Sequence, residues 1–201
     1  MNGISVKNIN KSYDGAPVLE NFSAFFEYGK CTAIMGENGC GKTTLLNILM
    51  GLDKDFSGNV EGMPERFSVV FQENRLCEEF SVFENVRMAI KANSSKTGNQ
   101  FYTKNSPSDF RVNGILCELG LEEYAKRKVS ELSGGQKRRV AIARALCFDA
   151  GLIIMDEPFK ELDEENKKAA ARAVLSQKET IILVTHDIED VELMNATLLK
   201  M

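Results

Sequence analysis

Apolar and polar residues alternate along 4–10 and again along 18–26, with many β-branched and aromatic side chains. Both stretches predict strands, together forming an antiparallel edge sheet. CTAIM at 31–35 is a short apolar run that leads into Gly36. After Lys42, TTLLNILMGL places its apolar residues at helical spacing and stops at Gly51. FSVVFQ at 67–72 predicts a further buried strand. From about 74 to 131 the character changes. Helical patterns at 82–92 and 109–119 flank the polar stretch NSSKTGNQ at 93–100, and Pro107 follows it. This reads as a helical insertion carrying a flexible surface loop.

QKRRVAIARALC at 136–147 is an amphipathic helix that starts at LSGG. GLIIMDE at 151–157 is an apolar strand ending in two acids, and 163–177 is a helix with an acidic first turn, which suits its dipole. TIILVTH at 180–186 predicts a last central strand, followed by a short helix and an edge strand. Apolar strands alternating with helices predict an α/β fold, its mainly parallel sheet covered on both faces. One domain is expected over 1–201, with 1–73 and 132–201 as core and β subdomain and about 74–131 as the helical subdomain.

Length fits that picture: 201 residues suffice for one domain with its own core. Hydrophobic residues make up 43% and charged residues 27%, a globular balance. The net charge is −4, and the one basic cluster is Lys137-Arg138-Arg139, which reads as a solvated helix face. A nucleic-acid partner is therefore not expected. The start, MNGISVKNINKSY, does not read as a signal peptide, and the longest apolar runs are far short of the ~20 residues of a membrane span. Cysteines at 31, 40, 77, 117 and 147 form no CxxC pair, so reduced thiols are expected rather than disulfides or a zinc site. Apart from Cys40 they read as scattered small hydrophobes.

Gly36-Glu37-Asn38-Gly39-Cys40-Gly41-Lys42-Thr43 satisfies G-x-x-x-x-G-K-[ST] between a strand and a helix. Glycines let backbone N–H groups turn toward phosphate oxygens, and the helix adds its positive end. Lys42 would reach the β- and γ-phosphates, and the Thr43 hydroxyl would ligate Mg²⁺. The fold is then a P-loop NTPase core. Parallel sheets present their ligand groups at the carboxyl ends of strands. Asp156 fits there as a second Mg²⁺ contact and Glu157 as the residue that polarises an attacking water. Gln72 ends another strand beside them; a lone glutamine there is more often only a strand end. His186 ends TIILVTH on the same sheet edge, either as a structural histidine or as part of the site. Tyr13 lies in a loop near the start, where an aromatic can stack on a purine or simply pack. Ser133-Gly134-Gly135-Gln136 precedes a helix and makes either an anion-binding helix start or an ordinary N-cap.

These residues together resemble the ATP-binding cassette of ABC transporters over essentially the whole chain. The motifs run in order: Tyr13 as adenine-stacking aromatic, GENGCGKTT at 36–44 (through Thr44) as Walker A, Gln72 as Q-loop, LSGGQ at 132–136 as signature. GLIIMDE follows as Walker B, then Leu162-Asp163 as D-loop and His186 as switch histidine. LSGGQ shortly before a Walker B strand is highly specific to this family. The resemblance implies a cytoplasmic ATPase, peripheral on the inner face of the cell membrane, using ATP and Mg²⁺. Thr43, Gln72 and Asp156 would contact the metal, and Glu157, His186, Gln72 and Lys42 would be catalytic. Two copies, or one copy and a paralogous cassette, would face head to tail. Ser133, Gly134, Gly135, Gln136 and Asp163 of one would then meet the nucleotide held by the other. Further implied partners are an integral membrane permease and a substrate-binding protein. FQENRL at 71–76 resembles the Q-loop region of nitrate, sulfonate and taurine importers. One departure stands out: the usual S-A-L-D reads Lys160-Glu161-Leu162-Asp163 here, with two charges at the expected seam.

Two other classes share a P-loop. A non-transport ABC ATPase usually carries two fused cassettes or a long coiled-coil insertion, and this sequence shows neither. A small-molecule P-loop kinase would need neither LSGGQ nor His186.

Overall fold

A computed structural model of the chain describes residues 2–94 and 107–201. Two sheets organise it. Strands β1 (Gly3–Tyr13), β2 (Ala16–Glu27) and β4 (Ser57–Glu61) form an antiparallel sheet in the order β2-β1-β4. The other sheet is wholly parallel. It consists of β3 (Cys31–Met35), β5 (Ser68–Val70), β6 (Leu152–Asp156), β7 (Thr180–Val184) and β8 (Thr197–Lys200), in the order β5-β6-β7-β3-β8.

The apolar strands read as buried on both faces because the parallel sheet is covered on both. Side chains alternate across it. Ile153, Met155, Ile181 and Leu183 enter a core with Val86, Leu116 and Val174. That face carries α2 (Val82–Ser94), α3 (Pro107–Glu118), α4 (Gly134–Cys147) and α5 (Glu164–Ser176). Leu152, Ile154, Ile182 and Val184 point the other way, into a core with Ile4, Ile9, Phe26 and Leu45. That second core lies under α1 (Lys42–Leu49) and the antiparallel sheet. A last short helix, α6 (Ile188–Leu193), leads into β8.

Helix starts follow local chemistry. Proline at the first position of α3 has no N–H to leave unpaired. Asp163 caps α5 by accepting from the Asn166 N–H at 2.9 Å, with Glu164 and Glu165 in the first turn. Strand β4, SGNVE, has no apolar alternation because four of its five positions are exposed, so its sequence predicts no strand. The short strand at 67–72 is only Ser68–Val70, and Gln72 follows it rather than ending it. The expected polar loop at 93–100 lies outside the described residues from 95 on. All five cysteines are free; Cys31 and Cys147 are buried, and burial pushes both thiols up to about 12, whereas Cys77 and Cys117, expected as scattered small hydrophobes, are exposed. No helix among the described residues is long and apolar enough to cross a membrane.

Candidate functional site

The phosphate-binding motif joins β3 to α1. Gly41 caps the helix at φ +100°, and a Cβ there would meet Leu19 Cδ2 at 2.7 Å and the Val18 carbonyl at 3.0 Å. Glycine is required at that point for both conformation and space. Lys42 is buried, and its ammonium donates to the carbonyls of Gly36 at 2.9 Å and Glu37 at 2.8 Å. The loop thus holds a fixed cation beside the positive end of α1.

A cleft of about 340 Å³ opens over this loop. Asn38, Gly39, Gly41, Lys42, Thr43 and Thr44 form its floor. Gln72 follows β5, Asp156 and Glu157 come from the end of β6, and His186 follows β7, so three more strands deliver their carboxyl ends to the same cleft. Tyr13 closes the rim as the last residue of β1, not from a loop. Gly36 and Glu37 line a separate, more apolar depression with Met35 and Leu198, and Cys40 Sγ packs beside Gly36.

Glu157 holds a left-handed backbone, φ +47°, unusual for a residue with a side chain. Its N–H donates to the Val184 carbonyl at 2.9 Å, which pins the turn to β7. One carboxylate oxygen lies 3.0 Å from His186 Nε2 and the other 3.6 Å from Lys160 Nζ. Glu157 is 19% exposed and His186 44%, so the pair faces the cleft while remaining supported from below. A carboxylate placed in this way can accept a proton while its neighbour orients it. Burial, then the neighbouring Glu157 charge, raises the Asp156 carboxyl above its ordinary pKa, against the pull of Arg138, Lys42 and His186. The Thr43 hydroxyl, Gln72 amide and Asp156 carboxylate supply hard oxygen donors to the cleft, the chemistry Mg²⁺ prefers. Among the described residues no group of three His, Cys, Asp or Glu side chains forms a metal cage.

Arg138 corrects the reading of Lys137-Arg138-Arg139 as a solvated face. It is 3% exposed. Its guanidinium donates to the carbonyls of Phe71 at 2.5 Å, Gln72 at 3.2 Å, Asp156 at 2.7 Å, Glu157 at 2.6 Å and Pro158 at 2.9 Å. One side chain therefore ties the Gln72 loop to the turn bearing Glu157. Burial lowers its pKa to about 10, still charged at neutral pH. Arg139 is buried too, donating to Leu119 O at 2.7 Å. Only Lys137 fits the expectation in part, pairing with Glu78 at 2.9 Å near the surface. Carbonyl acceptors occur at every residue, so no sequence pattern announced this role. Arg138→Ala should destabilise the fold by on the order of 3 kcal/mol, because several carbonyls lose a charged donor at once. Urea unfolding measures it. A midpoint equal to that of the parent would return Arg138 to the solvated face.

The LSGGQ turn stands apart from the cleft: none of Ser133, Gly134, Gly135 or Gln136 lines it, nor does Asp163. Ser133 caps α4, and its hydroxyl accepts from the Gln136 N–H at 3.3 Å while Gln136 Oε1 accepts from the Ser133 N–H at 2.9 Å. The ordinary capping reading is thus met in full. The charged D-loop residues pack within the same chain. A Cβ on Gly134 would collide with the Glu161 carboxylate, and one on Gly135 would meet the Glu161 carbonyl at 2.7 Å. Lys160 leans the other way, to Glu157.

A family model described as ABC transporter matches residues 19–160. The chain belongs to this family. It is an ABC ATPase with the P-loop NTPase fold. It is 37% identical over 197 residues to the tungstate uptake system ATP-binding protein of Peptoclostridium acidaminophilum, covering 92% of this chain and 88% of that one. It is 35% identical over 203 residues to the spermidine/putrescine import ATP-binding protein of Fusobacterium nucleatum, covering 93% of this chain but only 51% of that one. The solved dimeric structure of a bacterial ABC transporter cassette superposes with a TM-score of 0.83 at 28% identity, covering 98% and 94% of the two chains. A dimeric cassette in a post-hydrolysis state with ADP and Pi gives 0.81 at 27% identity, covering 94% and 90%. These relatives are named for tungstate and polyamines; the nitrate, sulfonate and taurine likeness rests on FQENRL alone.

Proposed function

We propose that this ABC ATPase is the energy-supplying subunit of a bacterial importer, and that two cassettes close head to tail on two ATP molecules. The observation that carries this reading is the separation of the P-loop from the signature turn. The P-loop lies in the cleft with Glu157, His186, Gln72 and Asp156, while the signature turn lies outside it. A two-fold dimer lets each chain complete its neighbour's site. Residues about 74–131 act as the helical subdomain that carries the signature turn toward the second copy. The dimer works on an integral membrane permease at the inner face of the membrane, served by a substrate-binding protein. The second cassette is another copy of this chain or a paralogue. Import rather than export is supported by relatives named for uptake and import.

Within each site Lys42 binds the β- and γ-phosphates, and the backbone N–H groups of 38–44 orient them. Tyr13 stacks on the adenine. Glu157 accepts the proton of the attacking water, and His186 holds that carboxylate and the γ-phosphate in register. The signature Ser133, Gly134, Gly135 and Gln136 of the second copy, with its Asp163 close by, donate to the γ-phosphate from the far side. Thr43, Gln72 and Asp156 would hold Mg²⁺, which when bound neutralises phosphate charge as it shifts to the leaving group.

A site split between two chains has a kinetic signature. ATPase activity per mole of chain should rise with protein concentration until the dimer saturates, measured by phosphate release across a dilution series. Specific activity independent of concentration, in a chain that stays monomeric by light scattering, would contradict the shared site.

A further inference from the structure

The Tyr13 ring stands at the cleft rim, 46% exposed. One of its faces is already occupied. Lys11 lies two residues earlier on the same side of β1, and its ammonium sits 4.8 Å from the ring centroid. The Tyr13 hydroxyl donates to Asp53 Oδ2 at 2.9 Å, and the other Asp53 oxygen accepts from Lys11 Nζ at 3.0 Å. Lys11 Nζ also donates to the Asp55 carbonyl at 2.6 Å and Asp55 Oδ2 at 3.3 Å. Cation, carboxylate and phenol thus close a ring of contacts around one aromatic side chain.

This cluster is not a solvated surface pair. Lys11 is only 7% exposed. The Lys11 hydrogen bond holds the Asp53 carboxyl below its ordinary pKa, which keeps it an acceptor. Asp53 also belongs to a different part of the fold from Tyr13. It follows α1, where the Leu52 and Asp53 N–H groups donate to the Asn47 carbonyl at 2.9 and 3.1 Å. The contacts therefore join the β1–β2 hairpin to the turn that ends the phosphate-binding helix. Tyr13 lines the cleft, whereas Lys11, Asp53 and Asp55 do not. They hold the ring from behind and at its hydroxyl edge.

We propose that Lys11 and Asp53 are positioning residues for purine recognition: they fix the Tyr13 ring in advance, with its free face turned to the base of the bound nucleotide. The inference rests on the nucleotide reading of the cleft and adds to it how the base is read. A tyrosine that swings freely must be immobilised when the base stacks, which weakens binding. Here that ordering is complete before the ligand arrives, and the spacing between ring and phosphate cradle is set by the Asp53 turn.

The test compares Mg·ATP with inorganic tripolyphosphate, which has phosphates and no base, by titration calorimetry on the full chain. The parent should bind ATP more tightly than tripolyphosphate. Asp53→Ala should weaken ATP about fivefold to tenfold, most of what loss of a base stack costs, and leave tripolyphosphate unchanged. Tyr13→Ala should weaken ATP by at least as much, and adding Asp53→Ala to it should change nothing further, because the two act through one ring. Tyr13→Phe keeps the ring and loses only the hydroxyl bond, so it should weaken ATP about twofold and serves if Asp53→Ala fails to fold. Equal loss for ATP and tripolyphosphate, simple additivity of the two alanine variants, or unchanged ATP affinity in both Asp53→Ala and Tyr13→Phe would overturn the proposal. A parent that binds tripolyphosphate as tightly as ATP would overturn it while leaving the phosphate site standing. A parent that binds neither would overturn the nucleotide reading itself.

Discussion

Lys42→Ala should lower phosphate release by at least about a hundredfold, the loss typical when one preorganised donor to developing charge is removed. Among the described residues lining the cleft, Lys42 is the one lysine or arginine. Asp156 and Glu157 line the same cleft and repel a triphosphate. Arg138 and Lys160 act on Asp156 and Glu157 from outside the cleft, so without the ammonium no lysine or arginine lining it faces the phosphates. ATP affinity should fall as well, since Lys42 touches the phosphates before and during transfer. The fold should survive, because the carbonyls of Gly36 and Glu37 that now hold the ammonium border open space that water can enter. Phosphate release by the purified chain, with circular dichroism as the check on folding, measures the effect. Turnover near that of the parent would remove the P-loop from the mechanism.

Glu157→Gln should separate binding from hydrolysis. The amide has nearly the same shape, so the strained turn at φ +47° and its bond to Val184 can persist. It cannot take a proton, and loss of a general base costs about 10²–10⁴-fold in rate. Affinity for ATP should hold or rise. The substitution removes a negative charge beside Asp156, and that charge is part of what raises the Asp156 pKa. A chain that binds ATP and cannot spend it should accumulate in the closed, nucleotide-bridged form. Loss of ATP binding together with hydrolysis would place Glu157 in support of the fold rather than in proton transfer.

The parts that could be read from sequence are those written in short-range pattern. Apolar runs announced β3, β6 and β7, and the glycine spacing of 36–43 announced the turn between β3 and α1. The sheet's habit of presenting ligands at strand ends then gathered Gln72, Asp156, Glu157 and His186 into one cleft. The parts that escaped depend on contacts between distant residues. Strand β4 owes its pairing to β1 rather than to its own polar sequence. Arg138 looked like a surface charge because its acceptors are backbone carbonyls from 71–72 and 156–158, which leave no mark on residue type. The Lys11–Tyr13–Asp53 contacts span 42 residues of chain and were equally invisible. Lys160 and Glu161 stand out in the sequence as departures, yet their packing against Glu157 and the signature glycines depends on the fold.

The shared site is tested most directly by thiol crosslinking in the Glu157→Gln chain. Cys40 in the P-loop is a native handle. The buried Cys31 and Cys147 are replaced by alanine, the exposed Cys77 and Cys117 by serine, and Ser133→Cys adds a thiol to the signature turn. If the P-loop of one cassette meets the signature turn of the other, a short bifunctional thiol reagent should give a covalent dimer on a denaturing gel. Its yield should rise with ATP and Mg²⁺, and neither single-cysteine control should match it. A crosslink that closes only within one chain, with no covalent dimer at any nucleotide concentration, would contradict the account.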